Sequence, residues 1–146
     1  MNYKLVAWSV AWEGSIGLNL IHYKTGLNVK RSILIPRINI CNTELDLLEN
    51  FKTVLSVGRI RKGHNAFGNV NVLWVWEVVG IKGVYQLLIK IVDYLPSKRK
   101  KKIANLVIEF CKLRLNHPHQ MHYSEREWDI YKEVKKLNFR GIRNEL

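Results

Sequence analysis

Negative charge is what this sequence has least of. It carries 12 Asp and Glu against 24 Lys and Arg, a formal net charge of +12. An excess of that size points to a polyanionic partner, either nucleic acid or an anionic membrane surface. Long apolar runs are also missing, which excludes a helix that crosses a bilayer. There are only 2 cysteines, Cys41 and Cys111, far apart and without CxxC spacing. They are expected to be reduced core residues of an intracellular protein, not a disulfide framework. The N-terminus has no charged lead followed by a cleavable apolar segment, so no secretion signal is expected. Prolines number 3, and no low-complexity stretch or linker divides the chain. With 47% hydrophobic residues it is expected to fold as one domain over residues 1–146.

Periodicity supplies the elements. Leu5, Trp8 and Trp12 recur at helical spacing, with Val6 and Val10 beside them, predicting a buried helix over Tyr3 to Glu13. From Ser15 the period becomes two: Ile16, Leu18 and Leu20 fall on one face of a strand, Ser15, Gly17 and Asn19 on the other. After a turn at Lys24-Thr25-Gly26, a second strand runs from Lys30 to Cys41. Its Leu34, Ile38 and Ile40 oppose Arg31, Arg37 and Asn39, and Pro36 argues for an edge position or a bulge. Thr43 and Asp46 suggest a capping box for a helix with Leu48, Phe51 and Leu55 on one stripe, closed by Gly58. The basic strand Arg59-Ile60-Arg61-Lys62, a loop over Gly63 to Asn69, and a strand over Val70 to Val78 follow. Val84, Leu87, Leu88, Ile91, Val92 and Leu95 mark a helix stopped before Pro96. Ser97 caps the next, which His117-Pro118-His119 breaks, and Ser124-x-x-Glu127 opens the last.

The order helix-strand-strand-helix-strand-strand, then helices, predicts an α+β fold: one antiparallel sheet backed by helices on one face. The free face would carry Asn19, Arg31, Arg37, Asn39, Arg59 and Arg61, with Glu77 its one acid. A helix-backed sheet with a basic free face is a saddle suited to a DNA groove. Arginine bidentate to guanine and asparagine to adenine are the expected base contacts. Lys24, Lys30, Lys62 and His64, near strand ends, suit phosphates, and Ser15, on the outward face where the first strand opens, is a further candidate contact. His117, His119 and His122 lack an accompanying cysteine or acid at ligand spacing, so zinc is not expected there. Trp74 and Trp76 are expected in the core.

One carboxylate stands apart. Glu13 closes the apolar first helix, where the helix dipole is already negative, and a cation would relieve the conflict. The segment Val6-Ala7-Trp8-Ser9-Val10-Ala11-Trp12-Glu13-Gly14, with Ser15-Ile16 after it, resembles the signature of the LAGLIDADG homing endonucleases, intron-encoded enzymes that cut DNA. A second likeness is Lys100-Lys101-Lys102-Ile103-Ala104-Asn105-Leu106-Val107, similar to the basic helix start after that family's core. Together they cover about residues 3–113, with C-terminal helices over about 98–137 beyond the αββαββα core. The sequence departs from the signature at Ala11, in place of the first acid, and at Trp8 and Trp12, in place of small residues at the helix–helix contact. Ala7 and Ala11, four apart, offer an alternative close-contact face.

The resemblance implies a homodimeric, site-specific endonuclease of double-stranded DNA with a long, nearly palindromic target of roughly two helical turns. It implies cuts across the minor groove that leave short 3′ overhangs. Two Glu13 side chains would meet near the twofold axis, where like charges repel unless cations lie between them. Mg²⁺ is implied as the cofactor, with Ca²⁺ or Mn²⁺ as substitutes, held by Glu13 and the main-chain carbonyl of Trp12. Lys100, or Lys98 in the same basic run, is implied to offset charge at the phosphate, and Asn42 to position water. The alternative is a nucleic-acid-binding relative without cleavage, either an RNA maturase or a DNA-binding regulator. A basic RNA-processing protein ranks third, for want of a motif.

Overall fold

A computed structural model of the protein describes residues 2–26, 29–63, 72–118 and 122–139. The elements run α1 (Tyr3–Glu13), β1 (Gly14–Thr25), β2 (Val29–Asn42), α2 (Leu45–Leu55), β3 (Arg59–Lys62), β4 (Trp74–Val79), α3 (Ile81–Ile91), α4 (Lys98–Asn116) and α5 (Glu125–Asn138). A 3-10 turn over Val92–Tyr94 extends α3 toward Pro96. The strands form one antiparallel sheet in the order β1-β2-β4-β3. The α+β order expected from periodicity is therefore the one observed.

The sheet's period-two pattern decides which side faces the helices. Ile16, Leu18, Leu34, Ile38, Ile40, Trp76 and Val78 point into one buried cluster with Val6, Ala7 and Val10 of α1, Leu48 and Phe51 of α2, and the apolar faces of α3, α4 and α5. Trp76 is fully buried, meets Phe51 edge-on at 6.0 Å between ring centres, and donates its indole N–H to the Val57 carbonyl at 3.1 Å. Gly58 has φ of 89° and lies so close that a Cβ there would stand 2.5 Å from the Trp76 indole nitrogen. That is why glycine stands at 58. It does not close α2, as the sequence suggested; Ser56 does so, in the left-handed conformation with φ of 53°.

Two further expectations are corrected, and a third holds locally. The proposed Thr43 and Asp46 box does not form: Glu44 is the N-cap of α2 and lends no side-chain bond. Asn42 Oδ1 accepts from the Glu44 N–H at 2.8 Å instead. The fourth strand starts at Trp74 rather than Val70, and residues 64–71, His64 among them, lie outside the described residues. Pro36 sits in a strand that is central from Arg37 onward, because β4 pairs only with Arg37 to Asn42. Its carbonyl accepts from Gly80 N–H at 3.0 Å, and the Gly80 carbonyl, which an N–H at position 36 would have met, accepts from Val84 N–H of α3 at 3.2 Å instead, so the missing donor costs the ladder nothing. Residues 29–36 have only β1 beside them, so the edge reading holds locally.

The C-terminal helices are tied to the sheet by polar caps. Ser97 accepts from Lys100 N–H, and Ser124 with Glu127 forms the expected capping box. Glu127 is buried and also meets Arg114 at 3.3 Å, while Arg114 stacks over Tyr123 at 4.7 Å. The Tyr123 hydroxyl accepts from Leu34 N–H at 2.8 Å, and Asn138 Nδ2 donates to the Ile16 carbonyl at 2.8 Å. His117 and His122 are exposed, His119 lies outside the described residues, and no cluster of three metal-ligating side chains occurs among those described.

Candidate active site and nucleic-acid interface

The helix-to-strand corner between α1 and β1 carries the acid. Glu13 is the last residue of α1 and is exposed; Gly14 follows in extended conformation as the first of β1. A Cβ at Gly14 would fall 2.0 Å from the Asn39 carbonyl oxygen, so only glycine lets β1 meet β2 directly behind the carboxylate. Asn42, at the end of β2, donates from Nδ2 to Glu13 Oε2 at 2.7 Å and fixes the carboxylate from the other strand.

Lys100 reaches the same corner from α4. It is only 3% exposed, an unusual burial for an ammonium. Its Nζ donates to the Val10 carbonyl at 2.9 Å and to the Gly14 carbonyl. Positive charge thus sits on main-chain carbonyls at the C-terminal end of α1, Val10 also accepting from Gly14 N–H, which answers much of the dipole conflict at Glu13. Lys98 is exposed and lies with Lys101, Lys102 and Glu109 along a shallow trough on the outside of α4. Of the two lysines, Lys100 is the one at the α1 corner. Glu13, Asn42 and Lys100, 87 residues apart at the extremes, are brought together. The Trp12 carbonyl lies in the last turn of α1 beside them.

From this corner the free face of the sheet spreads out. Ser15 Oγ donates to Asn39 Oδ1 at 3.0 Å. A groove of about 780 Å³ runs past Ser15, Asn19, Arg37, Asn39 and Lys100 to Tyr131 and Lys135 of α5. Asn19 and Arg31 are exposed on this face; Lys24 is exposed but alternates to the other side of β1, and Lys30 falls in β2 opposite it, its side chain outside what the structure describes. Lys62 lies over the Trp74 ring at 5.8 Å.

Besides Asn39, three of the expected base readers share one partner. Glu77 is 2% exposed at the middle of the face and gathers Arg37, Arg59 (2.7 Å) and Arg61 (3.3 Å). Burial alone would raise its pKa, but the Arg59 hydrogen bond and the charges of Arg37 and Arg61 outweigh this and hold the carboxyl below the usual range. The cluster keeps a surplus of positive charge, with Arg59 and Arg61 still largely exposed. These arginines form a fixed rack rather than free-swinging side chains. The sequence showed Glu77 as the lone acid on this face but not that it would be the anchor; the register Asn39↔Glu77↔Arg59 supplies that.

The first helix departs from its expected burial. Val6, Ala7 and Val10 face the core, whereas Leu5, Trp8 and Trp12 are 49%, 44% and 74% exposed. The periodic stripe read as buried is the outward one. Because α1 is apolar on both sides, the same spacing describes either face, and the smaller residues fit against the sheet. Ala7 is fully buried, so the alternative Ala7 and Ala11 contact face is not available.

The backbone is that of the LAGLIDADG homing endonucleases. It matches the homing endonuclease I-CvuI, in complex with uncleaved DNA in the presence of Mg, with a TM-score of 0.73 at 18% identity, over 95% of this chain and 83% of that one. The archaeal intron-encoded homing endonuclease I-Vdi141I, complexed with DNA, matches with a TM-score of 0.65 at 20% identity, over 95% and 85% of the two chains. The LAGLIDADG homing endonuclease I-SmaMI, bound to cleaved DNA, matches with a TM-score of 0.67 at 18% identity. This chain, matched over 92% of its length, spans only 43% of I-SmaMI. No protein-family model and no curated protein matches the sequence.

Proposed function

We propose that the protein is a site-specific endonuclease of double-stranded DNA that depends on a divalent cation and works as a pair of identical chains. The observation that carries this reading is the meeting of Glu13, Asn42 and Lys100 at the corner where the basic sheet face joins an uncovered apolar helix face. The neighbours' DNA complexes support the choice of nucleic acid, and the surplus of positive charge agrees with it.

One chain offers the cation a single carboxylate and main-chain carbonyls, an all-oxygen donor set suited to Mg²⁺ or Ca²⁺ but too small alone. A second copy packed through Leu5, Trp8 and Trp12 would bring its Glu13 and complete the set with DNA phosphates. When bound, the cation supplies charge neutralisation at the phosphate and lowers the pKa of a water. The protein's own part is placement. Asn42 holds the Glu13 carboxylate toward the corner, Gly14 lets the strands close behind it, and Lys100 fixes the main chain that presents it. The arginine rack and Asn39 orient the duplex across the face, and Lys24, Lys30 and Lys62 bind its phosphates. The two thiols suit a reducing compartment, so we place the protein inside the cell.

The test is cleavage of DNA duplexes recovered by binding selection from a randomised library. The expected result is double-strand cutting in Mg²⁺ that is lost in Glu13→Gln, with binding retained. Tight binding without cutting in Mg²⁺ or Mn²⁺ would overturn the nuclease reading and favour a binding protein.

A further inference from the structure

The free face of the sheet is not uniform. Near Glu13 it is polar, with Ser15, Asn39 and the Glu77 rack. Farther along the hairpin, where β2 runs past the end of β4, it becomes apolar. Ile21 stands directly opposite Ile33, and Ile35 opposite Asn19. By alternation with buried Leu18 and Leu34, all three isoleucines lie on the face away from the helices. Ile21 is 43% exposed, Ile33 and Ile35 are half-buried, and none of them belongs to the core or packs against it. Adjacent apolar side chains on a pair of strands, facing water, are a liability unless something covers them. The patch is rimmed by Arg31 and Arg37, which alternate onto the same side, and is continuous with the arginine-bearing part of that face. Its occupant must therefore be anionic around an apolar feature.

We infer that this isoleucine patch reads thymine methyl groups in the DNA major groove, making the outer part of each half-site rich in A·T pairs. The inference rests on the endonuclease reading given above. The C5-methyl of thymine is the apolar group that base edges present in that groove, flanked by phosphates that the basic rim would meet. Asn19 lies beside Ile35 and carries the amide that pairs with adenine N6 and N7, so one A·T pair can satisfy both. The inner positions, under Arg37, Arg59 and Arg61, favour guanine instead.

The experiment uses the wild-type chain in Ca²⁺ and duplexes recovered from a randomised library. Thymines are replaced one at a time by deoxyuridine, which removes only the methyl group. The expected loss is roughly 3- to 4-fold in affinity for each outer thymine, the value of one buried methylene, with little change at inner positions. Ile33→Ser and Ile35→Ser, both outside the core, should bind DNA but lose this sensitivity. Binding with deoxyuridine tolerated throughout, or no thymine preference at outer positions, overturns the inference and leaves the endonuclease reading standing. Failure to bind any duplex overturns that reading itself, and this inference with it.

Discussion

At the residue scale, two buried polar groups organise the chain, and both were half visible in the sequence. Glu77 stood out as the one acid among arginines, yet only strand register shows that Arg37, Arg59 and Arg61 converge on it. Glu77→Gln would leave three guanidiniums around a neutral amide and is expected to cost roughly 2–3 kcal/mol in urea unfolding. Because the native carboxyl titrates below its ordinary value, its contribution is fully present above about pH 4.3 and is lost as pH falls toward the lowered value. The glutamine variant should therefore lack that part of the wild-type stability loss in acid. Lys100 stood beside Lys98 as a candidate only through the likeness of its helix start to the family's, and its burial against α1 carbonyls was not legible, since sequence spacing carries no signal for a contact made 86 to 90 residues away. Cys111 is fully buried and its thiol is pushed up to about 12 by desolvation. It should resist thiol reagents at pH 8 in the native state and react only after unfolding.

At the element scale, strong periodicity and caps were read well, and ends that depend on tertiary contacts were not. The Ser97 cap and the Ser124 capping box are local hydrogen bonds and formed as read. The Thr43 and Asp46 box failed because Asn42, which bonds Glu13 from the β2 end, accepts from Glu44 N–H and the N-cap of α2 falls on Glu44, one residue past Thr43. The α1–β1 corner has the most demanding geometry. Gly14→Ala must push the Asn39 main chain away, since its Cβ would sit 2.0 Å from that carbonyl. The expected cost is about 1–3 kcal/mol, measured by thermal or urea unfolding, with cleavage reduced more than binding as Glu13 shifts.

At the scale of the whole molecule, one apolar helix face stands uncovered. The first helix buries small residues inward and leaves Leu5, Trp8 and Trp12 in water, an apolar stripe beside an acid that alone holds too few ligands for a cation. A sequence can show that such a helix is apolar all round, but not which side the sheet takes. Trp12→Glu, on the exposed stripe, should leave the fold intact and shift sedimentation from dimer to monomer, with cleavage lost together with dimerisation. The most direct measurement is a crystal structure of the chain on its selected duplex in Ca²⁺. The account predicts two copies with α1 against α1 and a calcium ion about 2.3–2.6 Å from oxygens of both Glu13 carboxylates and a phosphate. A single copy on the DNA, or Glu13 turned to solvent away from cation and phosphate, would contradict it.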